Sequence, residues 1–310
     1  MSLYLGIDTS NYTTSFAVCG DMDISVRKLL DVPEGARGVR QSDGVFMHLK
    51  NAPGLYSELK NKIDVSKIKA VGVSTRPRNV DGSYMPVFVC GESYASMIAD
   101  TLGVPLYSFS HQEGHVMAGV KSCENPELLK GDFHAVHLSG GTCEILKVKS
   151  SGFGFDTEIV GESLDISAGQ LIDRAGVAMG MRFPAGREVS SLAEKYDGKV
   201  PKLSVTVKDG KINFSGAETQ ILKLINNSDD NMMLSRAVLD CVSESILKAL
   251  AQVGAEKVLM VGGVASSDYI RKYLSNKGKK IEFLFAKPEY STDNAWGIAK
   301  LTERRNGYGT

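Results

Sequence analysis

The chain has 310 residues, of which 43% are hydrophobic and 23% are charged, as expected for a globular protein with room for two domains. Its 36 Lys and Arg residues balance its 36 Asp and Glu residues, so the formal net charge is zero. That balance argues against a stand-alone nucleic-acid binder, because phosphate neutralisation supplies most of such affinity. No apolar run approaches the roughly 20 residues of a membrane span. Five scattered cysteines without a CxxC pair favour a reducing, cytoplasmic setting.

The first element is a predicted β-hairpin. Residues 3–19 run as a short apolar strand, a polar turn and a returning strand. A turn rich in hydroxyls and backbone N–H groups can hold phosphate oxygens. We therefore take Asp8, Ser10 and Thr13 as a candidate phosphate loop, although an ordinary hairpin explains the same pattern.

A strand and a basic turn follow further along the chain. Residues 69–74 predict the strand, and residues 75–79, which read Thr-Arg-Pro-Arg-Asn, predict the turn at its end. The turn is either a solvated loop or a contact for an anion or RNA. Helical spacing of apolar residues over 92–102 then predicts a core helix that ends at Gly103.

The next helix begins with two histidines four residues apart. His111 and His115 share one face of that helix and lie within reach of one metal ion. Ser110 predicts the N-cap, and Glu113 completes a capping box. The pair follows a predicted strand at residues 104–109, and α/β folds usually place their sites at such strand ends. The alternative is that the histidines only pack or cap.

The same stretch argues against a metalloprotease. In HExxH proteases the Glu directly follows the first His. Here Glu113 lies two residues after His111, roughly 200° around the helix, and would point away from a metal on the histidine face.

The strand–turn–strand pattern then occurs a second time. Residues 135–148 repeat the organisation of residues 3–18, after a polar segment at 121–132 that contains Pro126. Two such halves indicate an internal duplication at the scale of a domain. We therefore predict an N-terminal lobe of residues 1–132 with 294–310, and a C-terminal lobe of residues 133–293.

The remaining chain alternates helices and strands. The pattern predicts a helix that opens within 161–170 and runs to about 179, a turn at 183–186, an irregular polar stretch at 187–230 with one hairpin near 203–214, a long helix from 237, strands at 257–261 and 281–286, and a last helix over 295–304.

Three turns, at residues 8–14, 139–142 and 262–264, each follow a predicted strand. Glycines in the second and third would let the backbone approach a ligand and point N–H groups at it. Neither the Walker spacing nor the GxGxxG fingerprint occurs. The combination resembles the actin-like ATPase superfamily, which implies an α/β fold of two duplicated lobes with a nucleotide in the cleft between them.

Within that superfamily, the order of the motifs resembles the TsaD family, whose members are also called glycoproteases. The resemblance spans nearly the whole chain and rests on the motifs Gly6-Ile7-Asp8-Thr9-Ser10, His111-Gln112-Glu113-Gly114-His115, Leu138-Ser139-Gly140-Gly141-Thr142, Gly161-Glu162-Ser163-Leu164-Asp165, Asp173, Phe183-Pro184-Ala185-Gly186, Gly262-Gly263-Val264 and Ser291-Thr292-Asp293-Asn294-Ala295.

The resemblance implies a metal site. His111, His115 and Asp293 match the family's ligands to one divalent metal, iron or zinc. His137 stands where some members place a tyrosine that approaches the metal, so it is either a further ligand or a histidine in the wall of the cleft.

The resemblance also implies a nucleotide site and an activity. The positions that match sites for an adenine nucleotide or acyl-adenylate are His137, Leu138, Ser139, Gly140, Gly141, Asp173, Gly186, Gly262, Gly263 and Ser267. Asp173 would accept hydrogen bonds from a ribose. Family members transfer a threonylcarbamoyl group from threonylcarbamoyl-AMP to the N6 amine of adenosine in tRNA. Holding tRNA would need a partner's help at zero net charge, and the implied partner is a TsaB-like protein or a second copy, through the N-terminal lobe.

The chain departs from the family's pattern near the reacting end. Tyr12 and Thr13 replace two acidic residues, Arg76 and Arg78 replace the glycines of a Gly-Pro-Gly turn, and Ser267 replaces an asparagine. These changes favour a divergent paralogue and keep two alternatives open. One is a non-catalytic protein that binds metal and nucleotide and pairs with partners. The other is a small-molecule kinase, with Asp165 as the candidate general base.

Overall fold

The computed structural model describes residues 2–10, 12–31, 39–290 and 294–308. Its strands, in chain order, are β1 (Leu3–Ser10), β2 (Thr13–Gly20), β3 (Ile24–Leu29), β4 (Ile68–Arg76), β5 (Leu106–Ser110), β6 (Phe133–Leu138), β7 (Cys143–Ser151), β8 (Gly154–Ser163), β9 (Thr206–Lys208), β10 (Lys211–Asn213), β11 (Lys257–Val261) and β12 (Glu282–Phe285). Its α-helices are α1 (Gln41–Lys60), α2 (Val87–Leu102), α3 (His111–Ser122), α4 (Ala168–Ala178), α5 (Gly186–Lys195), α6 (Ser215–Ile225), α7 (Asn231–Gln252), α8 (Asp268–Lys277) and α9 (Asn294–Gly307).

The chain divides into two compact units. Unit 1 comprises Met1–Leu129, Ser150–Asp156 and Glu289–Thr310, and unit 2 comprises Lys130–Lys149 and Thr157–Pro288. The lobe boundaries at residues 132/133 and 293/294 stay a prediction.

Unit 1 is built on a five-stranded sheet in the order β3-β2-β1-β4-β5. β1 pairs antiparallel with β2 and parallel with β4. Apolar residues of β1, β2 and β4 form one core with α1 and α2, in which Leu5 and Ile7 are fully buried. α9 lies directly against β1, because a Cβ on Gly6 would be 2.1 Å from the carbonyl oxygen of Ala295. A glycine is therefore required in this strand for the helix to pack so closely.

Unit 2 repeats that plan. Its seven-stranded sheet has the order β12-β11-β6-β7-β8-β10-β9. β6 pairs antiparallel with β7 and parallel with β11, and β11 pairs parallel with β12. The run β8-β7-β6-β11-β12 therefore matches β3-β2-β1-β4-β5 strand for strand, and the predicted internal duplication is confirmed.

The predicted irregular stretch at 187–230 is wrong where it contains α5 and α6. The hairpin of β9 and β10 agrees with the prediction, and the segments at 196–205 and 226–230 are irregular as predicted. The two helices bury little: Val189 and Ala193 are the buried residues of α5, and Ala217 and Ile221 those of α6. Leu192 of α5 and Leu224 and Ile225 of α6 also pack, partly buried, against the core, so the apolar residues of both helices recur at helical spacing.

A second correction concerns the helix expected to open within residues 161–170. The structure continues β8 as far as Ser163 and begins α4 at Ala168. Ser167 caps α4 and forms a capping box with Gln170, so the helix starts where side chains satisfy its free N–H groups.

No helix in the described part of the chain is long and apolar enough to cross a membrane. All five cysteines are free thiols, as the absence of a paired spacing predicted.

Candidate functional site

The helix that carries the histidine pair begins as predicted. Ser110 Oγ accepts a hydrogen bond from the backbone N–H of Glu113 at 3.1 Å, and Glu113 Oε2 accepts one from the backbone N–H of Ser110 at 2.8 Å. Glu113 is buried, which raises the pKa of its carboxyl, although the two Ser110 hydrogen bonds oppose the rise. The capping role therefore occupies Glu113, in line with the argument against a protease.

The two imidazoles face each other. His111 Nε2 lies 3.1 Å from His115 Nε2, with the ring planes nearly perpendicular at 79°. Two nitrogens bound to one zinc ion at about 2.0–2.1 Å, in octahedral to tetrahedral directions, lie about 2.9–3.4 Å apart. The observed separation falls in that interval, so the pair fits a shared divalent metal ion.

A buried carboxylate holds the first of these histidines. Oδ2 of Asp8, at the end of β1, lies 2.9 Å from His111 Nδ1, 2.5 Å from Ser74 Oγ and 2.6 Å from Asn294 Nδ2. Burial alone would raise the pKa of Asp8, but the charge and hydrogen bond of His111 and the bonds from Ser74 and Asn294 outweigh it. The pKa of this carboxyl is therefore held well below its usual range. A carboxylate behind a metal-binding histidine is a common way to orient the ring.

Asn294 reaches this position through a close crossing of two helices. A Cβ on Gly114 would lie 2.4 Å from Asn294 Oδ1, and a Cβ on Gly297 would lie 2.0 Å from the carbonyl oxygen of Gly114. Both helices therefore need glycine where α3 and α9 cross. This contact explains the glycine inside the His-Gln-Glu-Gly-His motif: it makes room for the amide that bonds to Asp8.

The two further candidate ligands are Asp293 and His137. Asp293 lies outside the described residues. His137 is buried on β6 in unit 2, beside Gly262. Among the residues that the structure describes, no group of three or more His, Cys, Asp or Glu side chains is arranged to hold a metal ion. The roles of Asp293 and His137 stay predictions.

The residues of the predicted phosphate loop make contacts within the protein that differ from those expected of a phosphate-binding loop. The Asp8 carboxylate accepts the hydrogen bonds just described and one more from the backbone N–H of Ser10 at 3.1 Å. Thr13 pairs with Ser10 and with Leu29 across the sheet. Since a buried carboxylate would repel a phosphate, Asp8 fits a partner of His111 better than a phosphate ligand. A phosphate role for Ser10 and Thr13 stays a prediction.

The Arg-Pro-Arg turn lies against the start of the histidine helix. The backbone N–H of Gln112 donates to the carbonyl oxygen of Pro77 at 3.0 Å. Arg76 donates to the side chains of Thr75 at 3.2 Å and Asn79 at 2.6 Å. The guanidinium of Arg76 is therefore bonded to side chains of its own loop. Arg76 pairs across the sheet with Ser110, the N-cap residue of the histidine helix.

In unit 2, the predicted nucleotide residues at 137–141 and 262–263 lie at the carboxyl ends of the adjacent strands β6 and β11. The turn after β6 is closed by a hydrogen bond from the backbone N–H of Thr142 to Ser139 Oγ at 3.1 Å. Gly140 and Gly141 are exposed, with open space where a Cβ would be. Ser167 Oγ, at the start of α4, donates to the carbonyl oxygen of Gly140 at 2.7 Å.

The turn after β11 packs against the end of β6. Gly262 has a φ of +100°, and a Cβ there would lie 2.4 Å from the carbonyl oxygen of Leu138. Only glycine suits both the backbone angle and the space. Gly263 follows it and is exposed.

Two side-chain bonds link the helices at this edge of unit 2. Asp173 Oδ1, on α4, accepts the backbone N–H groups of Ala185 at 2.8 Å and Gly186 at 3.2 Å, at the start of α5. Burial raises the pKa of Asp173, and these two bonds oppose the rise. On α5, Ser190 Oγ lies 2.7 Å from Ser267 Oγ, the N-cap of α8. Sequence reasoning missed Ser190, for which the polar pattern of its segment gave no signal.

Asp165 has a structural role. Its carboxylate accepts backbone N–H groups of Ile166 at 2.7 Å, Phe214 at 2.8 Å and Ser215 at 3.0 Å. These bonds hold the start of α6. Because they occupy the carboxylate, Asp165 is a poor general base for a kinase.

These two groups of residues sit on an α/β fold of the actin-like ATPase class. Component A of (R)-2-hydroxyglutaryl-CoA dehydratase from Acidaminococcus fermentans matches it with a TM-score of 0.62 at 16% identity, over 99% of this chain and 100% of that one. The activator of 2-hydroxyisocaproyl-CoA dehydratase from Clostridium difficile, solved with bound ADPNP, matches with a TM-score of 0.58 at 15% identity, over 99% and 96% of the two chains. At these identities the likeness shows the fold alone.

The sequence identifies the family. A family model described as TsaD, tRNA N6-adenosine threonylcarbamoyltransferase, matches residues 39–300. The protein of that name from Thermosipho africanus is 28% identical over 313 residues, which cover 96% of this chain and 92% of the relative. That from Mycoplasmopsis synoviae is 27% identical and covers 96% of both chains. The chain therefore belongs to the TsaD family.

Proposed function

We propose that this protein transfers a threonylcarbamoyl group from an acyl-adenylate to the N6 amine of adenosine in tRNA. The observation that carries the proposal is the pair His111 and His115, which face each other at 3.1 Å in a chain that matches the TsaD model over residues 39–300. A kinase or a purely structural member of the fold has no need for such a pair.

The metal ion would be held by His111 and His115, with Asp293 and His137 as further candidate ligands. Two imidazoles with a carboxylate suit either iron or zinc. When bound, the ion would supply a Lewis acid that polarises a carbonyl or phosphate oxygen of the adenylate. In the protein itself, Asp8 orients His111 and the capping box fixes the helix that carries both rings.

The adenosine part of the adenylate would bind at the strand ends of unit 2. The exposed backbone of Gly140 and Gly141 can lie close to a ligand on its open side, because nothing lies within 4 Å of the place that a Cβ would take at either residue. Asp173 would contribute its remaining acceptor capacity to the ribose while it holds the start of α5. Ser190 and Ser267 form a second polar pair that could bond to the nucleoside.

The strongest alternative is a protein that binds metal and nucleotide without transferring a group. It is favoured by one observation, the loss of two acidic residues at Tyr12 and Thr13. Tyr12 is 45% exposed at the tip of its hairpin, and Thr13 is engaged in the sheet. Neither side chain can replace a carboxylate.

One experiment separates these proposals. Purified protein is incubated with threonylcarbamoyl-AMP and unmodified tRNA, and the digested nucleosides are analysed by mass spectrometry. We expect N6-threonylcarbamoyl-adenosine from the wild type and at least a hundredfold less from His111→Ala. Tight adenylate binding without any modified nucleoside would replace the transfer proposal by the binding protein.

A partner would dock on an apolar surface of unit 1. Phe46 and Leu49 of α1 are 67% and 50% exposed, and Val89 and Met97 of α2 are 45% and 68% exposed. The hydroxyl of Tyr94 donates to the carbonyl oxygen of Leu49 at 3.4 Å, so the two helices that carry these side chains lie next to each other. Exposed apolar side chains of this size commonly mark an interface.

The occupant would be a TsaB-like subunit or a second copy of the chain. Sedimentation of the chain alone tests the second copy, and addition of a TsaB-like protein tests the heterodimer. We expect the double change Phe46→Ser with Met97→Ser to abolish association. The matched control is Val177→Ser, an exposed apolar residue of unit 2, which should leave association unchanged.

A further inference from the structure

His111 Nδ1 has two neighbours, and each requires a different protonation state of this nitrogen. It lies 2.9 Å from Asp8 Oδ2, which can only accept a hydrogen bond, and 2.8 Å from Asn294 Nδ2, which can only donate one. A neutral imidazole carries its proton on one nitrogen only. The contact to Asp8 requires the proton on Nδ1, and the contact to Asn294 requires it on Nε2.

The Asp8 carboxylate determines which of the two ring nitrogens of His111 carries the proton. With a bare Nδ1, a lone pair would point at a buried negative oxygen 2.9 Å away, which is repulsive. With Nδ1–H, the same contact becomes a charge-assisted hydrogen bond, about twice as strong as a neutral one. The bond that Asn294 could offer to Nδ1 instead is only a neutral one.

The orientation of Asn294 follows from the same carboxylate. Turning its amide over would bring Oδ1 to the place that Nδ2 now occupies, 2.6 Å from Asp8 Oδ2, with two acceptors in contact. Ser74 Oγ, 2.5 Å away, has a proton to donate. Ser74, Asn294 and His111 are therefore all donors to one oxygen, and the close approach of Asn294 and His111 is the result of sharing it.

We propose that Asp8, with Ser74 and Asn294 as its two fixed donors, is a positioning residue that holds His111 with its proton on Nδ1. The lone pair of Nε2 then accepts the hydrogen bond from His115 Nε2 at 3.1 Å in the metal-free protein, and it faces the direction that a metal ion shared with His115 would need. This assigns Asp8 to the metal side of the site and away from the phosphate loop predicted from the sequence. The tautomer is a property of the metal-free protein, and its effect on metal binding rests on the proposed function.

The tautomer can be read directly. Long-range 1H–15N correlation spectra of uniformly 15N-labelled, metal-free protein distinguish protonated from bare imidazole nitrogens, and His111→Gln identifies the resonances. At about pH 8, above the ordinary histidine pKa, we expect His111 to carry its proton on Nδ1 in the wild type. In Asp8→Asn we expect a mixture, because the charged acceptor is gone, whereas Asn294→Ala should keep the proton on Nδ1, because the competing donor is gone and Asp8 remains. A wild-type His111 with its proton on Nε2 would overturn the proposal.

The consequence for metal binding is measured with Co²⁺ as the probe, by its visible absorption and by calorimetry. We expect affinities about 10–100-fold weaker in Asp8→Asn, Asn294→Ala and Ser74→Ala, the usual effect of removing an outer hydrogen-bond partner of a ligand. Asp64→Asn is the control, because Asp64 is an exposed cap elsewhere in unit 1 and should not change the affinity. Circular dichroism establishes that each variant is folded. If a variant does not fold, the 1H–15N spectrum of the wild-type protein still tests the tautomer of His111.

The two measurements keep this inference separate from the proposed function. A wild type with Nδ1–H on His111 but no Co²⁺ binding would remove the proposed metal site and leave the positioning role of Asp8 standing. A wild type that binds Co²⁺, with unchanged affinity in Asp8→Asn and Asn294→Ala, would overturn the positioning role and leave the metal site standing.

Discussion

Substituting Gly114 by Ala tests the helix crossing behind the histidine pair. The new Cβ would lie 2.4 Å from Asn294 Oδ1 and 2.8 Å from the other two amide atoms, about 1 Å closer than ordinary contact. The obstacle is the end of a side chain, so the amide can turn away while the backbone stays. We therefore expect a modest loss of stability, toward the lower end of the roughly 1–3 kcal/mol typical of overpacking. The larger effect should be on metal affinity, since the amide that turns away is the donor to Asp8.

Gly54→Ala is the matched control for this experiment. Gly54 also lies within a helix of unit 1, α1, and nothing stands within 4 Å of the added Cβ. Both changes gain the preference of Ala over Gly in a helix, about 1 kcal/mol, so the difference between the variants isolates the crossing. Urea denaturation gives the stabilities and Co²⁺ titration the affinities. Equal stability in the two variants together with wild-type Co²⁺ affinity in Gly114→Ala would refute the reasoning.

Three further predictions follow from contacts in the two units. Gly297→Ala should destabilise the protein more than Gly114→Ala, because its Cβ would meet a backbone carbonyl at 2.0 Å that cannot turn aside, and urea denaturation checks the order. Asp173→Ala should weaken adenylate binding about tenfold in calorimetry, since the start of α5 loses its anchor, whereas Asp173→Asn keeps an acceptor oxygen and should retain most of the affinity. Asp165→Asn should cost about 1 kcal/mol near neutral pH, because the oxygen that accepts the backbone N–H of Ser215 becomes an amide NH2 and that hydrogen bond is lost, without abolishing nucleotide binding. Burial tends to raise the pKa of Asp165, but its backbone hydrogen bonds outweigh burial and lower it. The stability it adds is therefore present above its unfolded pKa and is lost as pH falls, so denaturation curves of Asp165→Asn and wild type should converge below about pH 4.

The sequence predicted the fold best where a segment carried two signals together. The hairpin of β1 and β2, the repeated strand–turn–strand and the capped histidine helix each combine a periodic apolar pattern with polar residues at the ends. The strand order of the two units follows from recognising the repeat. Helices α5 and α6 were missed although their apolar residues recur at helical spacing, because polar and charged residues lie between them and neither helix is capped by the side chain of its own N-cap residue.

The histidine pair could be predicted because both members lie on one helix, at a spacing that sequence alone reveals. The hydrogen-bond partners of His111 could not be predicted in this way. Asp8 was noticed but given to a phosphate, since nothing in its local sequence indicates a neighbour more than a hundred residues away. Ser74 and Asn294 looked like the polar ends of ordinary elements, and their role depends on the pairing of β1 with β4 and on the packing of α9. Long-range packing of this kind has no local signature.

The bond between Asp8 and Asn294 joins residues 286 positions apart in the sequence. At roughly 5–20 residues per second, a ribosome needs about 15–60 s to travel between them. During that interval the sheet of unit 1 lacks α9, the helix for which Gly6 leaves room, and the polar cluster behind His111 is incomplete. A nascent chain can thus fold its strands early but cannot yet hold His111 in place. For the proposed metal site, loading with an ion before the protein is finished would be disfavoured, which would tie acquisition of the ion to the closing stage of synthesis.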